Sequence, residues 1–152
     1  MIYTTSMSRA FTKEDDAGDE FHEKPVPPGP NYVTPRGLEL LKAQAQELLE
    51  RRKTAADKRP LDRDLRYLDT RLSTALVVPP GQGDEVRFGA RVTLRDENGC
   101  ERRLRLVGED EARGDDALLA WSSPLALALI GKKAGEAADW DGPQQEITAV
   151  EY

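Results

Sequence analysis

Two rows of apolar residues separated by a proline constrain this chain more than any other feature. Leu38, Leu41, Ala45 and Leu48 recur at spacings of three and four. After Lys58-Arg59-Pro60, the residues Leu61, Leu65, Leu68, Leu72 and Ala75 do the same. That spacing is the seam of a coiled coil. Thr34 is placed to cap the first helix, with Pro35 at the position where a missing N–H costs nothing. This helix is expected to reach about Asp57. Proline cannot continue it, because the ring clashes with the preceding turn. A second helix is expected from about Leu61. With so short a break, an antiparallel helical hairpin over residues 32–78 is the arrangement left. Its arms extend roughly 25–35 Å at 1.5 Å per residue. Two helices bury little alone, so the hairpin needs support from a domain or a partner.

Past the hairpin the period changes. Pro79-Pro80-Gly81-Gln82-Gly83 reads as a linker over 79–83. In Asp84–Asp96, Val86, Phe88, Ala90, Val92 and Leu94 alternate strictly, the mark of a half-buried strand. Glu97-Asn98-Gly99 is a tight-turn signal, and Arg102–Gly108 returns with Leu104 and Leu106 on one face. Ala117–Trp121, Glu136–Asp141 and Gln145–Glu151 read as further strands, the last with Ile147 and Ala149 on one face and Val150 and Tyr152 near the other. Between them lies Ser122-Ser123-Pro124-Leu125-Ala126-Leu127-Ala128-Leu129-Ile130-Gly131. Ser123 caps this helix, Pro124 opens it, and Gly131 ends it in the left-handed region. It is apolar all round and so is expected to be buried on most of its surface. The order β-β-β-α-β-β over 84–152 predicts an α+β domain, one antiparallel sheet covered by one short helix.

Residues 1–31 read as a disordered acidic and Pro-rich tail, in which Met7-Ser8-Arg9-Ala10-Phe11 is a second candidate start. Residues 34–78 carry ten Lys/Arg against seven Asp/Glu, whereas residues 79–152 carry nine against fifteen. A basic segment joined to an acidic one suggests two surfaces with different partners rather than a general nucleic-acid binder. No apolar run approaches the roughly 18 residues that span a membrane, and no secretory signal is evident. The single cysteine, Cys100, fits a reducing cytoplasm. One histidine, His22, far from that cysteine, argues against a transition-metal site or a histidine-based triad.

Two carboxylate groups remain as candidate chemistry. Asp57, Asp62 and Asp64 lie around the expected hairpin tip, where oxygen ligands could hold a divalent cation. The alternative is that Asp62 and Asp64 simply favour the positive end of the second helix. Glu109-Asp110-Glu111 forms either a solvated loop or a charged docking surface.

Three motifs in order, Val86–Leu94, Leu106-Val107-Gly108-Glu109-Asp110-Glu111 and Ser122–Glu136, resemble the C-terminal domain of bacterial Gre (GreA/GreB) transcript-cleavage factors. Thr34-Pro35-Arg36-Gly37-Leu38 resembles that family's helix start. The resemblance implies an N-terminal coiled coil and, over 84–152, a Gre-type FKBP-like domain without isomerase activity. It further implies docking beside the secondary channel of bacterial RNA polymerase, through Glu109, Asp110, Glu111, Ser122, Ser123 and Pro124. Nucleic acid is then met only indirectly, through the elongation complex. The family's Asp-Ser-Pro docking segment is Ser122-Ser123-Pro124 here. Its cleavage-stimulating Asp-x-x-Glu-Asn motif is missing from Thr54–Asp64, and the hairpin is shorter. In this the chain is similar to the regulator of nucleoside diphosphate kinase. The implied protein is a cytoplasmic elongation regulator with no catalytic residues and no cofactor, any Mg²⁺ contact being confined to the polymerase active site. The alternatives are a cleavage-stimulating factor that uses Asp62 and Asp64 and, more remotely, a prolyl isomerase. The second needs an aromatic-lined pocket, and this domain offers only Phe88, Trp121, Trp140 and Tyr152.

Overall fold

Thr34 turns the chain into its first helix. In the computed structural model its Oγ1 accepts the Gly37 N–H at 2.9 Å, the bond expected of a cap. The structure describes residues 22–152. Most of the tail expected over 1–31, with both candidate starts Met1 and Met7, lies outside the described residues. Among the described residues nine elements follow in order: β1 (Asn31–Val33), α1 (Pro35–Thr54), α2 (Arg59–Thr74), β2 (Ala75–Val77), β3 (Arg91–Arg95), β4 (Glu101–Val107), β5 (Leu118–Ala120), α3 (Pro124–Leu129) and β6 (Glu146–Glu151). The described chain forms two compact units. One comprises residues 22–26 and 43–73, and the other residues 27–42 and 74–152.

The first unit is helical. α1 stops at Thr54, three residues short of the expected Asp57, and α2 begins at Arg59, so Pro60 sits in the opening turn rather than in the break. Proline is tolerated there because those N–H groups lack intrahelical partners anyway. On α2 the buried residues are Tyr67, Leu68 and Arg71, while Leu61, Leu65 and Leu72 of the expected seam are half-buried. Ala75, read as the last seam position, instead opens β2.

The second unit holds two sheets. β1 and β2 pair in parallel, Tyr32 opposite Leu76, and bury Asn31 and Val33. The larger sheet has the order β5-β4-β3-β6. β3 pairs antiparallel with β4 and with β6, but β4 and β5 run parallel. The antiparallel sheet expected from sequence is therefore a mixed one. Its physical cause is the connection between Val107 and Leu118, a crossover long enough to return the chain in the same direction.

The core lies on one face of that sheet. Val92, Leu94, Leu104, Leu106 and Ile147 meet Leu125, Ala126 and Leu129 of α3, with Val86, Ala90 and Ala138 filling the edges. Two strand expectations fail locally. Asp84–Asp96 is not one strand: Gly89, at φ +89°, bends it, and only Arg91–Arg95 joins the ladder. Glu136–Asp141 reduces to a single bridge between Ala137 and Glu146. A bulge also resets β6. Leu94 lies opposite Ile147 but Thr93 opposite Ala149, so Thr148 is the extra residue. Val150 thereby packs on the core together with Ile147, and the alternation read from sequence breaks at this point.

α3 keeps its expected boundaries. The Ser123 side chain accepts the Ala126 N–H, Pro124 occupies the first turn, and Gly131 follows at φ +90°. It is not buried all round, however. Leu127 is 58% exposed and Ile130 38%. Six residues give fewer than two turns, so a single face meets the sheet and the other stays bare.

Candidate functional site

The turn between α1 and α2 gathers charge of both signs, and the charges pair. Asp57 accepts the Arg59 backbone N–H and both Nε and Nη2 of the Arg59 guanidinium, each at 3.1 Å. Asp62, in the first turn of α2, accepts Arg52 Nε at 2.5 Å and Nη2 at 3.3 Å. Asp64 accepts Nε and Nη2 of Arg63 at 3.1 Å, with Lys24 Nζ at 3.6 Å. Each carboxylate thus faces its own guanidinium. No group of three or more His, Cys, Asp or Glu side chains able to hold a metal ion occurs among the described residues. At least one oxygen of each carboxylate already accepts from an arginine, and the nearby positive charge opposes a cation's entry.

These pairs leave an electrostatic signature. The Arg52 hydrogen bond is the largest influence holding the Asp62 carboxyl below its ordinary value of 3.8, and Arg52, Arg66 and Lys58 add their charge. The Arg59 side chain does the same for Asp57. A carboxyl group depressed in the folded state contributes stability above its unfolded value and loses it as pH falls through the lower folded one. Carboxyl-carbon NMR should therefore show Asp62 titrating below 3.8, and Arg52→Gln should return it towards 3.8. An unshifted midpoint in the unaltered protein would mean that the pair does not form in solution.

The second cluster surrounds the start of α3. Residues 109–114 form turns after β4, with the Ala112 N–H bonded to the Gly108 carbonyl. Glu109 Oε2 accepts the Ser122 hydroxyl at 2.9 Å. Glu111 Oε1 accepts the hydroxyl of Thr34 at 2.5 Å, which places its charge beside the N-terminus of α1. Asp110 is half-buried. Ser123 is committed to its cap, and Pro124 is exposed. The structure thus joins Glu109 to Ser122 in one small network, while Glu111 bonds to the helix start.

Sequence reasoning missed the surface beside Pro124. Leu127 and Ile130 stand bare next to it, and an all-apolar helix gave no indication of which residues would face outward. An aromatic group also went unread. The Tyr32 ring lies 5.0 Å from Trp121, edge-on, and 6.0 Å from Phe88. These residues are far apart in the chain, and only the fold brings Tyr32 to them. Within this unit the result is a polar pair, Glu109 and Ser122, flanked by an exposed proline and two exposed aliphatic side chains. Such a mixture suits protein recognition better than small-molecule catalysis.

A family model described as "Transcription elongation factor, GreA/GreB, C-term" matches residues 81–152. Transcription elongation factor GreB of Neisseria meningitidis serogroup B is 31% identical over 153 aligned residues, covering 80% of this chain and 94% of that protein. Transcription elongation factor GreA of Verminephrobacter eiseniae is 41% identical over 96 residues, covering 58% of this chain and 61% of that protein. Among solved structures, the GreA factor homolog Gfh1 of Thermus thermophilus aligns with a TM-score of 0.42 at 21% identity, covering 82% of this chain and 100% of that one.

Proposed function

Because the chain belongs to the GreA/GreB family of transcription elongation factors, we propose that it binds bacterial RNA polymerase at the secondary channel and regulates elongation without stimulating transcript cleavage. Residues 84–152, in this reading an FKBP-like domain, anchor it. Glu109, Asp110, Glu111, Ser122, Ser123 and Pro124 meet the polymerase, with Leu127 and Ile130 adding apolar area. Residues 32–78 act as an antiparallel coiled coil that occupies the channel. The protein has no catalytic group and no cofactor of its own, and it meets nucleic acid only through the elongation complex. It works in the cytoplasm, where the polymerase is.

The observation that carries the non-cleaving reading is the pairing at the inter-helix turn. A factor that lends carboxylates to a polymerase-bound Mg²⁺ needs them free of competing cations. Asp57, Asp62 and Asp64 are instead each held by an arginine, in a segment without the Asp-x-x-Glu-Asn pattern. The prolyl-isomerase alternative has no support from the relatives.

The test is transcript cleavage in backtracked polymerase complexes, with binding followed in parallel. Binding with no rise in cleavage over polymerase alone is the expected result. Stimulated cleavage that Asp62→Asn and Asp64→Asn abolish would replace this reading with the cleavage-factor one. Absence of binding would remove the polymerase as partner.

A further inference from the structure

Two arginines on the larger sheet and its approaches have carboxylate partners. Arg95 pairs with Glu146 and Arg87 with Glu85. On the face of the sheet turned away from the core, a different group stands without them. Arg91 of β3 lies directly opposite Arg105 of β4, and Arg103 is two residues along β4 on the same face. Arg36, from the first turn of α1, joins them around a half-open cleft of about 310 Å³, which Glu111 and Asp115 also line. No ion pair or side-chain hydrogen bond to a described residue is made by any of the four. Glu151, opposite Arg91 on β6, does not pair with it. The Nε of Arg105 is buried with no hydrogen-bond acceptor.

This arrangement costs stability. Like charges directly opposite each other on adjacent strands repel, and a buried guanidinium N–H without an acceptor loses its hydration for nothing. The two acids on the wall relieve it only in part: neither pairs with a guanidinium, Glu111 Oε1 accepting the Thr34 hydroxyl and Asp115 Oδ1 the Ala117 N–H. What the cleft lacks is a compact, multiply charged acceptor.

We propose that this arginine cleft binds a small oligophosphate anion, of the class of inorganic pyrophosphate or the diphosphate of a nucleotide. The planar guanidinium fork matches phosphate oxygens two at a time, and several forks converging on one cleft suit adjacent phosphates better than a single carboxylate. The cleft volume lies at the lower end of the range for small-ligand pockets. Glu111 and Asp115 repel any anion that enters, so binding needs several guanidinium forks to engage one compact, multiply charged group at once. The site is separate from the residues assigned to polymerase docking, apart from Glu111, and the inference does not depend on that assignment.

The experiment titrates the full-length chain with pyrophosphate by calorimetry at constant ionic strength, with sodium chloride and sulfate as controls. Expected is saturable binding at one site per chain, with affinity reduced at least tenfold in Arg105→Gln and in Arg103→Gln. Because Arg105→Gln removes a repulsion, its unfolding midpoint without ligand should be no lower than that of the unaltered protein. That separates loss of a site from loss of the fold. Binding that sulfate reproduces, binding unchanged in both variants, or uptake of a single-stranded oligonucleotide in place of pyrophosphate would each overturn the proposal.

Discussion

Replacing Leu129 with alanine should destabilise the sheet-bearing unit by about 2–5 kcal/mol, the range for truncating a fully enclosed leucine. Leu129 has no exposed surface and sits in the cluster with Val86, Leu94, Leu106 and Ile147. The expected cost exceeds the simple transfer of the lost methyl groups because of what holds α3 in place. A helix of six residues has almost no stability of its own. Its position rests on Leu125, Ala126 and Leu129 against the sheet, and on the bonds that close its ends. One of those, from the Gly131 N–H to the Val86 carbonyl, ties the helix exit to the chain before β3. The cavity would therefore loosen the Pro124 surface as well. Urea denaturation followed by tryptophan fluorescence measures the effect, since Trp121 immediately precedes this segment. Leu127→Ala, on the bare side of the same helix, is the control and should change stability by no more than about 0.5 kcal/mol. If the two variants lost equal stability, the assignment of faces on α3 would be wrong.

The contrast between those two leucines shows where reading the sequence succeeds. The caps of α3 were legible because each depends on neighbours along the chain: a serine, a proline and a glycine at fixed offsets. Which leucine faces inward was not legible, because every candidate in the helix is apolar. The helices α1 and α2 were visible from their seams, yet the seam assigned Ala75 to a helix that ends at Thr74. A three-residue parallel pair, β1 with β2, has too little pattern to detect. Its partners are separated by both helices, and its strands gain their status only from each other. The bulge at Thr148 is a similar case, because an extra residue is defined only against the partner strand.

The candidate site divides along the same line. The tip aspartates could be named from the sequence, but not their partners. Arg52 reaches Asp62 across the inter-helix turn, whereas Arg59 and Arg63 serve carboxylates one or two positions away. The arginine cleft was wholly hidden. Arg102–Gly108 is legible as a strand with Leu104 and Leu106 on one face, but only the register sets Arg91 against Arg105, and only the fold adds Arg36 from the start of α1. Motifs whose chemistry lies along one segment can be read directly. Constellations assembled by strand register cannot, because a shift of one residue would point the same side chains to the other face.

Gly108→Ala carries the other large expected effect, and it acts by close approach rather than by a cavity. Gly108 follows β4 and begins the turns that carry Glu109, Asp110 and Glu111. A Cβ placed there would lie 2.6 Å from the Tyr32 carbonyl oxygen and 3.6 Å from Val33 Cα. The first distance is shorter than any real contact, and the atom it meets is backbone, which cannot swing aside as a side-chain tip could. Either β1 or the Gly108 turn must move. Overpacking of this kind costs about 1–3 kcal/mol. The consequence is also local and specific. β1 carries Tyr32, whose ring meets Trp121, and it leads into Thr34, whose hydroxyl meets Glu111. Displacing β1 should therefore disturb the Trp121 environment and release Glu111 together. Gly114→Ala is the informative comparison, since a Cβ at Gly114 meets nothing within 4 Å although its φ of +77° strains any substitution. Gly114→Ala should thus lower the denaturation midpoint while leaving the folded-state near-ultraviolet circular dichroism of the Tyr32–Trp121 pair unchanged. Gly108→Ala should lower the midpoint and alter that spectrum. An unchanged spectrum in Gly108→Ala would show that the turn yields instead of the strand, and that β1 is held more firmly than the turns at 109–114.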